Sequence, residues 1–116
     1  MLAFGSDWTV STANPLLELE VAVNRVVPDD RGGEPFLPEE RLDLPAALDA
    51  FTIGSAYALR LEAETGSITP GKLADLAVLD RDPFDPGAGP IGDARVLATL
   101  IEGEPVHADP DLDLTG

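Results

Sequence analysis

The stretch Gly66-Ser67-Ile68-Thr69-Pro70-Gly71-Lys72-Leu73-Ala74-Asp75-Leu76-Ala77-Val78-Leu79-Asp80 decides how the rest of the chain is read. Pro70-Gly71 is a turn dipeptide: proline presets φ at the first central position, and glycine accepts the positive φ that a type II turn needs at the second. Leu76 to Leu79 is then a short apolar run fenced by Asp75 and Asp80, which reads as a strand buried on both faces. Lys72 and Asp75 flank the turn, where such residues cap backbone groups or meet solvent, and they are read as structural.

Outward from this stretch, Leu2-Ala3-Phe4-Gly5 reads as a strand running into the loop Gly5-Ser6-Asp7. Asn14-Pro15 opens a helix, with Asn as N-cap and Pro in the first turn. Leu16, Leu19, Val23, Val26 and Val27 form its apolar side, with Glu18, Glu20, Asn24 and Arg25 between them. Pro28 to Pro35 is a polar Pro/Gly loop. Pro38 to Leu42 reads as a single helical turn. A second helix starts at Pro45 behind Asp43 or Leu44 and continues to Arg60 with a break near Thr52 to Gly54. Its expected inner face is Leu48, Phe51, Ala56, Leu59 and Leu61. Ala94 to Ile101, a turn at Gly103 and the segment around Val106 read as a β-hairpin.

Four pieces of the opening stretch, Gly66-Ser67-Ile68, Pro70-Gly71-Lys72, Ala74-Asp75-Leu76 and Val78-Leu79-Asp80, resemble the C-terminal signature of the amidohydrolase superfamily. Gly5-Ser6-Asp7-Trp8 with Asn14-Pro15-Leu16, and Thr52-Ile53-Gly54-Ser55-Ala56-Tyr57-Ala58-Leu59, resemble the same family in the same order. The wording Gly-Ser-Asp-Trp is most similar to amidohydrolase family 3, and the resemblance runs over about residues 2 to 107. Thr9 departs from it, since proline is expected after the tryptophan.

The resemblance implies a mixed α/β chain. Residues 1–62 would be the last strand and helices of a metal-dependent hydrolase TIM barrel, residues 63–108 part of the adjoining small β-sandwich, and residues 109–116 a disordered acidic tail. A TIM barrel needs about 250 residues, and this chain has 116. It therefore resembles a C-terminal segment only. Asp7 would stand at the end of the last barrel strand, ligate a divalent metal, zinc by the family pattern, and act as base and proton shuttle in hydrolysis of a non-peptide C–N bond in a small amide-type substrate.

The family builds that metal site from a His-x-His pair, further histidines and often a carbamylated lysine. The sequence holds one histidine, His107, and no cysteine. A catalytic zinc takes about three protein ligands, so no bound metal and no activity are expected of the isolated chain. His107 reads as a surface or edge-strand residue. Thr52, Ser55 and Tyr57 resemble a structural signature and are assigned no catalysis.

Net charge is −15 with only seven Lys and Arg, which argues against nucleic acid and against anionic membranes. No apolar run approaches the roughly 18 residues of a membrane span, and no basic-then-apolar leader opens the chain. The expected location is the cytoplasm. The acidic loops do not match a calcium site: Phe84 falls where Asp80-Arg81-Asp82 would need a fifth-position oxygen ligand, and Leu114 stands at the glycine position after Asp109, Asp111 and Asp113. The competing class is a non-catalytic module derived from the same fold, self-associating or binding something other than substrate. A segment lacking its barrel would leave apolar faces that pair with the barrel or with a second copy.

Overall fold

The computed structural model describes residues 1–112. Three short α-helices, α1 (Pro15–Asn24), α2 (Leu44–Phe51) and α3 (Ile53–Ala58), precede a sheet of β1 (Leu76–Leu79), β2 (Val96–Ile101) and β3 (Glu104–Ala108). Single turns of 3₁₀ helix at Pro28–Asp30, Pro38–Glu40 and Ile91–Asp93 join them. The chain is thus mixed α/β, with a small antiparallel sheet in the order β1-β2-β3.

The elements start where local chemistry dictates. The Asn14 side chain accepts from the Leu16 amide, with Pro15 in the first turn of α1. The Asp43 carboxylate accepts from the Ala46 amide at 2.8 Å and opens α2. Gly71 has φ 94°, and the Lys72 amide closes the turn on the Thr69 carbonyl. Glu102 and Gly103, at φ 53° and 86°, link β2 to β3 with both central residues at positive φ, the type I′ pattern whose twist suits a hairpin. Lys72 and Asp75 serve the backbone as expected. Lys72 Nζ donates to the Thr65 carbonyl and the Ser67 hydroxyl, and Asp75 accepts from the Glu102 amide at 2.9 Å.

Several expectations are corrected. Leu2 to Phe4 is not a strand here, because among the described residues no strand lies beside it, and the Phe4 amide bonds the Ala50 carbonyl instead. Helix α1 stops at Asn24 rather than reaching Val27, since Arg25 adopts φ 61° and turns its Nε to the Phe36 carbonyl. β1 is not buried on both faces: Ala77 and Val78 are exposed on a sheet covered by no second sheet among the described residues. Leu59 and Leu61 point outward, 70% and 40% exposed, because α3 ends at Ala58 and the chain turns away at Arg60 in the left-handed region. Of the expected acidic tail, the Asp109 amide bonds the Leu97 carbonyl and the Leu112 amide bonds that of Asp109, while residues 113–116 lie outside the described residues.

The buried apolar core is one leucine, Leu19, and five alanines, Ala47, Ala50, Ala56, Ala94 and Ala98. Alanines let backbones approach but bury little area each. The accessible surface is 7930 Å², against about 6,100 Å² for a monomer of this mass. The radius of gyration is 15.1 Å, against about 13.4 Å for a compact domain of this length. No helix among the described residues is long and apolar enough to cross a membrane.

Glu20, expected on the outer side of α1, is the one fully buried charged residue among those described. Its two carboxylate oxygens take Arg31 Nε at 2.6 Å and Arg31 Nη2 at 3.1 Å, and Oε2 also accepts from the Gly92 amide at 2.9 Å. Arg31 Nη2 reaches on to Asp93 at 2.7 Å. Loss of a buried, charge-assisted carboxylate of this kind costs about 2–3 kcal/mol. Glu20→Ala should therefore lower the urea midpoint clearly, with Asp93→Ala, at the exposed arm, much milder. Equal small effects in urea titrations followed by circular dichroism would contradict this.

Asp80 forms the second charged knot. It accepts from Arg81 Nε at 2.9 Å and from the Arg95 amide at 3.0 Å, joining the end of β1 to the start of β2. The Arg81 guanidinium first, then the Arg95 amide, holds its carboxyl well below the usual carboxylate range. A depressed folded-state value means that the contribution is present above the unfolded value near pH 4 and is lost as pH falls towards the lower folded value. The stability difference between wild type and Asp80→Asn is expected to be full at pH 7 and to shrink below about pH 4. Thermal melts across pH 7 to 2 check this, and a difference that does not narrow would contradict it.

Candidate functional site

The candidate centres on Asp7, and the chain positions it through the segment before it. In a continuous helix the Ala50 carbonyl would accept from the amide four residues on. Here the helix breaks at Thr52, with φ −117° and ψ −93°, and the Ala50 carbonyl takes the Phe4 amide at 2.9 Å. Thr52 closes α2 with its own hydroxyl, donated to the Leu48 carbonyl at 2.7 Å. The Ser55 hydroxyl lies 2.6 Å from the Phe4 carbonyl and 2.9 Å from that of Ala50. The Phe4 ring meets Phe51 edge-on, centroids 5.3 Å apart and planes at 75°, a geometry favoured by the ring quadrupoles.

Beyond this anchor, Gly5-Ser6-Asp7 swings out. Asp7 has φ 48°, its carbonyl accepts from the Val10 amide at 2.9 Å, and the Ser6 hydroxyl accepts from the Trp8 amide at 3.2 Å. The Asp7 side chain is exposed and makes no hydrogen bond or ion pair among the described residues. The turn is closed by the Asp7 backbone, so the carboxylate is not used as a cap. Trp8 beside it is 63% exposed.

His107 stands elsewhere, on the edge strand β3, with Nε2 3.2 Å from the Val96 carbonyl. The structure does not bring it to a common cluster with Asp7. Among the described residues no group of three His, Asp or Glu side chains could hold a metal ion. The loop aspartates are likewise engaged: Asp82 accepts from the Phe84 amide and Asp85 from the Gly87 amide, both at short range within their own turns.

Two shallow hollows flank the helices, each of about 390 Å³. One is polar, lined by Glu20, Asn24, Arg31 and Arg41. The other is apolar, lined by Leu2, Phe4, Ala22, Leu37 and Leu42. Neither includes Asp7.

What sequence reading missed is the anchor itself. Ser55 was visible as part of a structural signature, and the helix break was visible too. Their common purpose, holding Phe4, needs the fold, since Phe4 and Ser55 are 51 positions apart.

Comparison with known proteins agrees with the resemblance. A family model described as "Amidohydrolase family" matches residues 1–107. The protein LONG AFTER FAR-RED 3 of Arabidopsis thaliana is 38% identical over 92% of this chain and 18% of its own length. N-substituted formamide deformylase of Arthrobacter pascens is 36% identical over 88% of this chain and 18% of its own. The putative amidohydrolase YtcJ of Bacillus subtilis is 31% identical over 92% and 20%. In a crystal structure of an amidohydrolase from Thermotoga maritima, 17% of that chain superposes on 61% of this one with a TM-score of 0.50 and 32% identity. The chain thus spans about a fifth of the length of the relatives it matches. By these matches it belongs to the amidohydrolase family, in family 3.

Proposed function

We propose that this chain is the C-terminal segment of a metal-dependent amidohydrolase acting on non-peptide C–N bonds, inactive when isolated, with Asp7 as its contribution to the reacting centre. The observation that carries the reading is the state of Asp7. An exposed carboxylate with no partner among the described residues sits on a loop whose preceding residue Phe4 is hydrogen-bonded to the helix junction, and it lies in a family whose relatives are about five times longer.

The residues present do not fit a complete metal site, since Asp7 is a single ligand where about three are needed. Asp7 would supply one oxygen donor, and the remaining ligands would come from polypeptide beyond these residues. Its carboxylate can accept a proton and return it, which is the role a general base needs. The last-strand position in a TIM barrel belongs to Leu2–Phe4 on this reading, its missing strand pairing completed by neighbours from the same source.

The surplus surface supports the same view. Val27, Phe36, Tyr57 and Leu59 are 64%, 71%, 55% and 70% exposed, side chains that neighbouring polypeptide would cover on this reading. The second reading, a self-associating module without catalysis, draws on the same faces. Mass and metal content separate the two.

The test is the intact mass of the gene product in cells, with metal analysis of the purified protein. A product several times larger than 12.2 kDa carrying a divalent ion is expected. In that product Asp7→Asn should lower both metal content and hydrolysis of N-substituted amides, the latter by at least about 100-fold. A stable, metal-free 12.2 kDa species would overturn the enzyme reading for this chain, and a concentration-dependent dimer of it would favour the module.

A further inference from the structure

We propose that Ser55 and Gly54 are positioning residues for Asp7, acting through the backbone of Phe4; the inference deepens the proposed function and rests on its assignment of Asp7. The break between α2 and α3 is the device. It releases the Ala50 carbonyl from helical bonding, and that carbonyl then accepts the Phe4 amide at 2.9 Å. One residue into the next turn, the Ser55 hydroxyl faces the Phe4 carbonyl at 2.6 Å. Both polar groups of one peptide residue are thereby gripped, as a neighbouring strand would grip them, but from a helix junction.

Gly54 makes the approach possible. It is buried, and a Cβ there would run into the Leu2 carbonyl oxygen. That contact is with backbone, which cannot swing aside as a flexible side chain can. Gly54 and Ser55 together set how close the segment lies and where along α3 it stops. Phe51 adds the edge-on ring contact on the same residue.

From the gripped Phe4 carbonyl to Asp7 there are three residues, so the anchor confines the Asp7 backbone to within about 10 Å of a fixed point. Among the described residues the Asp7 carboxylate makes no hydrogen bond or ion pair that would orient it. Its placement therefore derives from the backbone, and the backbone is held by Ser55. A ligand-bearing loop displaced by about 1 Å loses activity strongly even though no reacting group has changed.

The experiment has two arms. In this chain, Ser55→Ala should speed amide exchange at Phe4 at least about tenfold and lower the order parameters of Gly5 to Asp7 from about 0.85 to below about 0.6, with the amides of Val96–Ile101 unchanged. Ser55→Thr, which keeps a hydroxyl, should restore both. Unchanged exchange at Phe4 in Ser55→Ala would overturn the proposal. Should that variant not fold, wild-type exchange decides: protection at Phe4 comparable to β2 supports the anchor, and exchange at the free-peptide rate overturns it.

In the intact gene product, Ser55→Ala should lower kcat for amide hydrolysis with KM little changed, and Ser55→Thr should recover it. If Asp7→Asn reduces hydrolysis and Ser55→Ala does not, the positioning role falls while the proposed function stands. If Asp7→Asn is without effect, the proposed function falls and the positioning role with it, leaving the Phe4 anchor as a purely structural contact.

Discussion

The buried carboxylate of Glu20 is the constraint on which the arrangement of the two halves depends. The helices pack on one another and the strands pair with one another, but a core made largely of alanines gives little apolar area between the halves. Glu20 supplies what that core does not. From α1 it reaches the loop after the helix through Arg31, and the turn before β2 through the Gly92 amide and, by way of Arg31, Asp93. A buried ion pair adds little net stability when compared with a well-packed apolar alternative, yet removing one member leaves an uncompensated group. The geometry here favours the pair: the guanidinium presents two N–H groups to two oxygens, and the amide takes a remaining lone pair. The pair links α1 directly to the loop after that helix and to the turn before β2.

The same economy explains the helix break. Thr52 leaves helical geometry, and the bonds lost within the helix are remade outside it, to Phe4 from the Ala50 carbonyl and to Leu48 from the Thr52 hydroxyl. A break at which the Ala50 and Leu48 carbonyls both find specific new partners is a built feature. It lets a helix do for an extended segment what a neighbouring strand does in a sheet.

Local chemistry was legible in the residues, and long-range pairing was not. The caps at Asn14 and Asp43, the Pro70-Gly71 turn, the Thr52 break and the hairpin through Gly103 each depend on side chains within a few positions of the feature they make. Glu20 shows the limit from the other side. It is four residues after Leu16 and three before Val23, so helical spacing alone puts it on the apolar stripe. Its charge argued it outward, and only Arg31, 11 residues on, and Gly92, 72 residues away, account for its burial. Leu2 to Phe4 shows the same limit: an apolar run reads as a strand, but a strand exists only beside another one, and among the described residues the neighbour is a helix junction. Asp7 was legible only through family resemblance, since nothing in a lone exposed Asp separates a ligand from a turn residue.

The distribution of large and small apolar residues carries the last step. Small ones, Ala47, Ala50 and Ala56, lie inside the helical half, while Phe36, Tyr57 and Leu59 lie outside. A self-sufficient domain of this size gains stability by burying its largest side chains, each contributing about 1.5–3 kcal/mol, whereas here Leu19 is the one large apolar residue in a buried core otherwise made of alanines. The inversion makes sense if the helices form a middle layer. Alanines then let α2 and α3 close tightly on the Phe4 segment, and the aromatic and leucine side chains face the next layer outward. On that view the position of Asp7 and the exposed apolar faces are one design: the inner contacts fix where the carboxylate stands relative to the helices, and the outer contacts would fix where the helices stand relative to the rest of an active site.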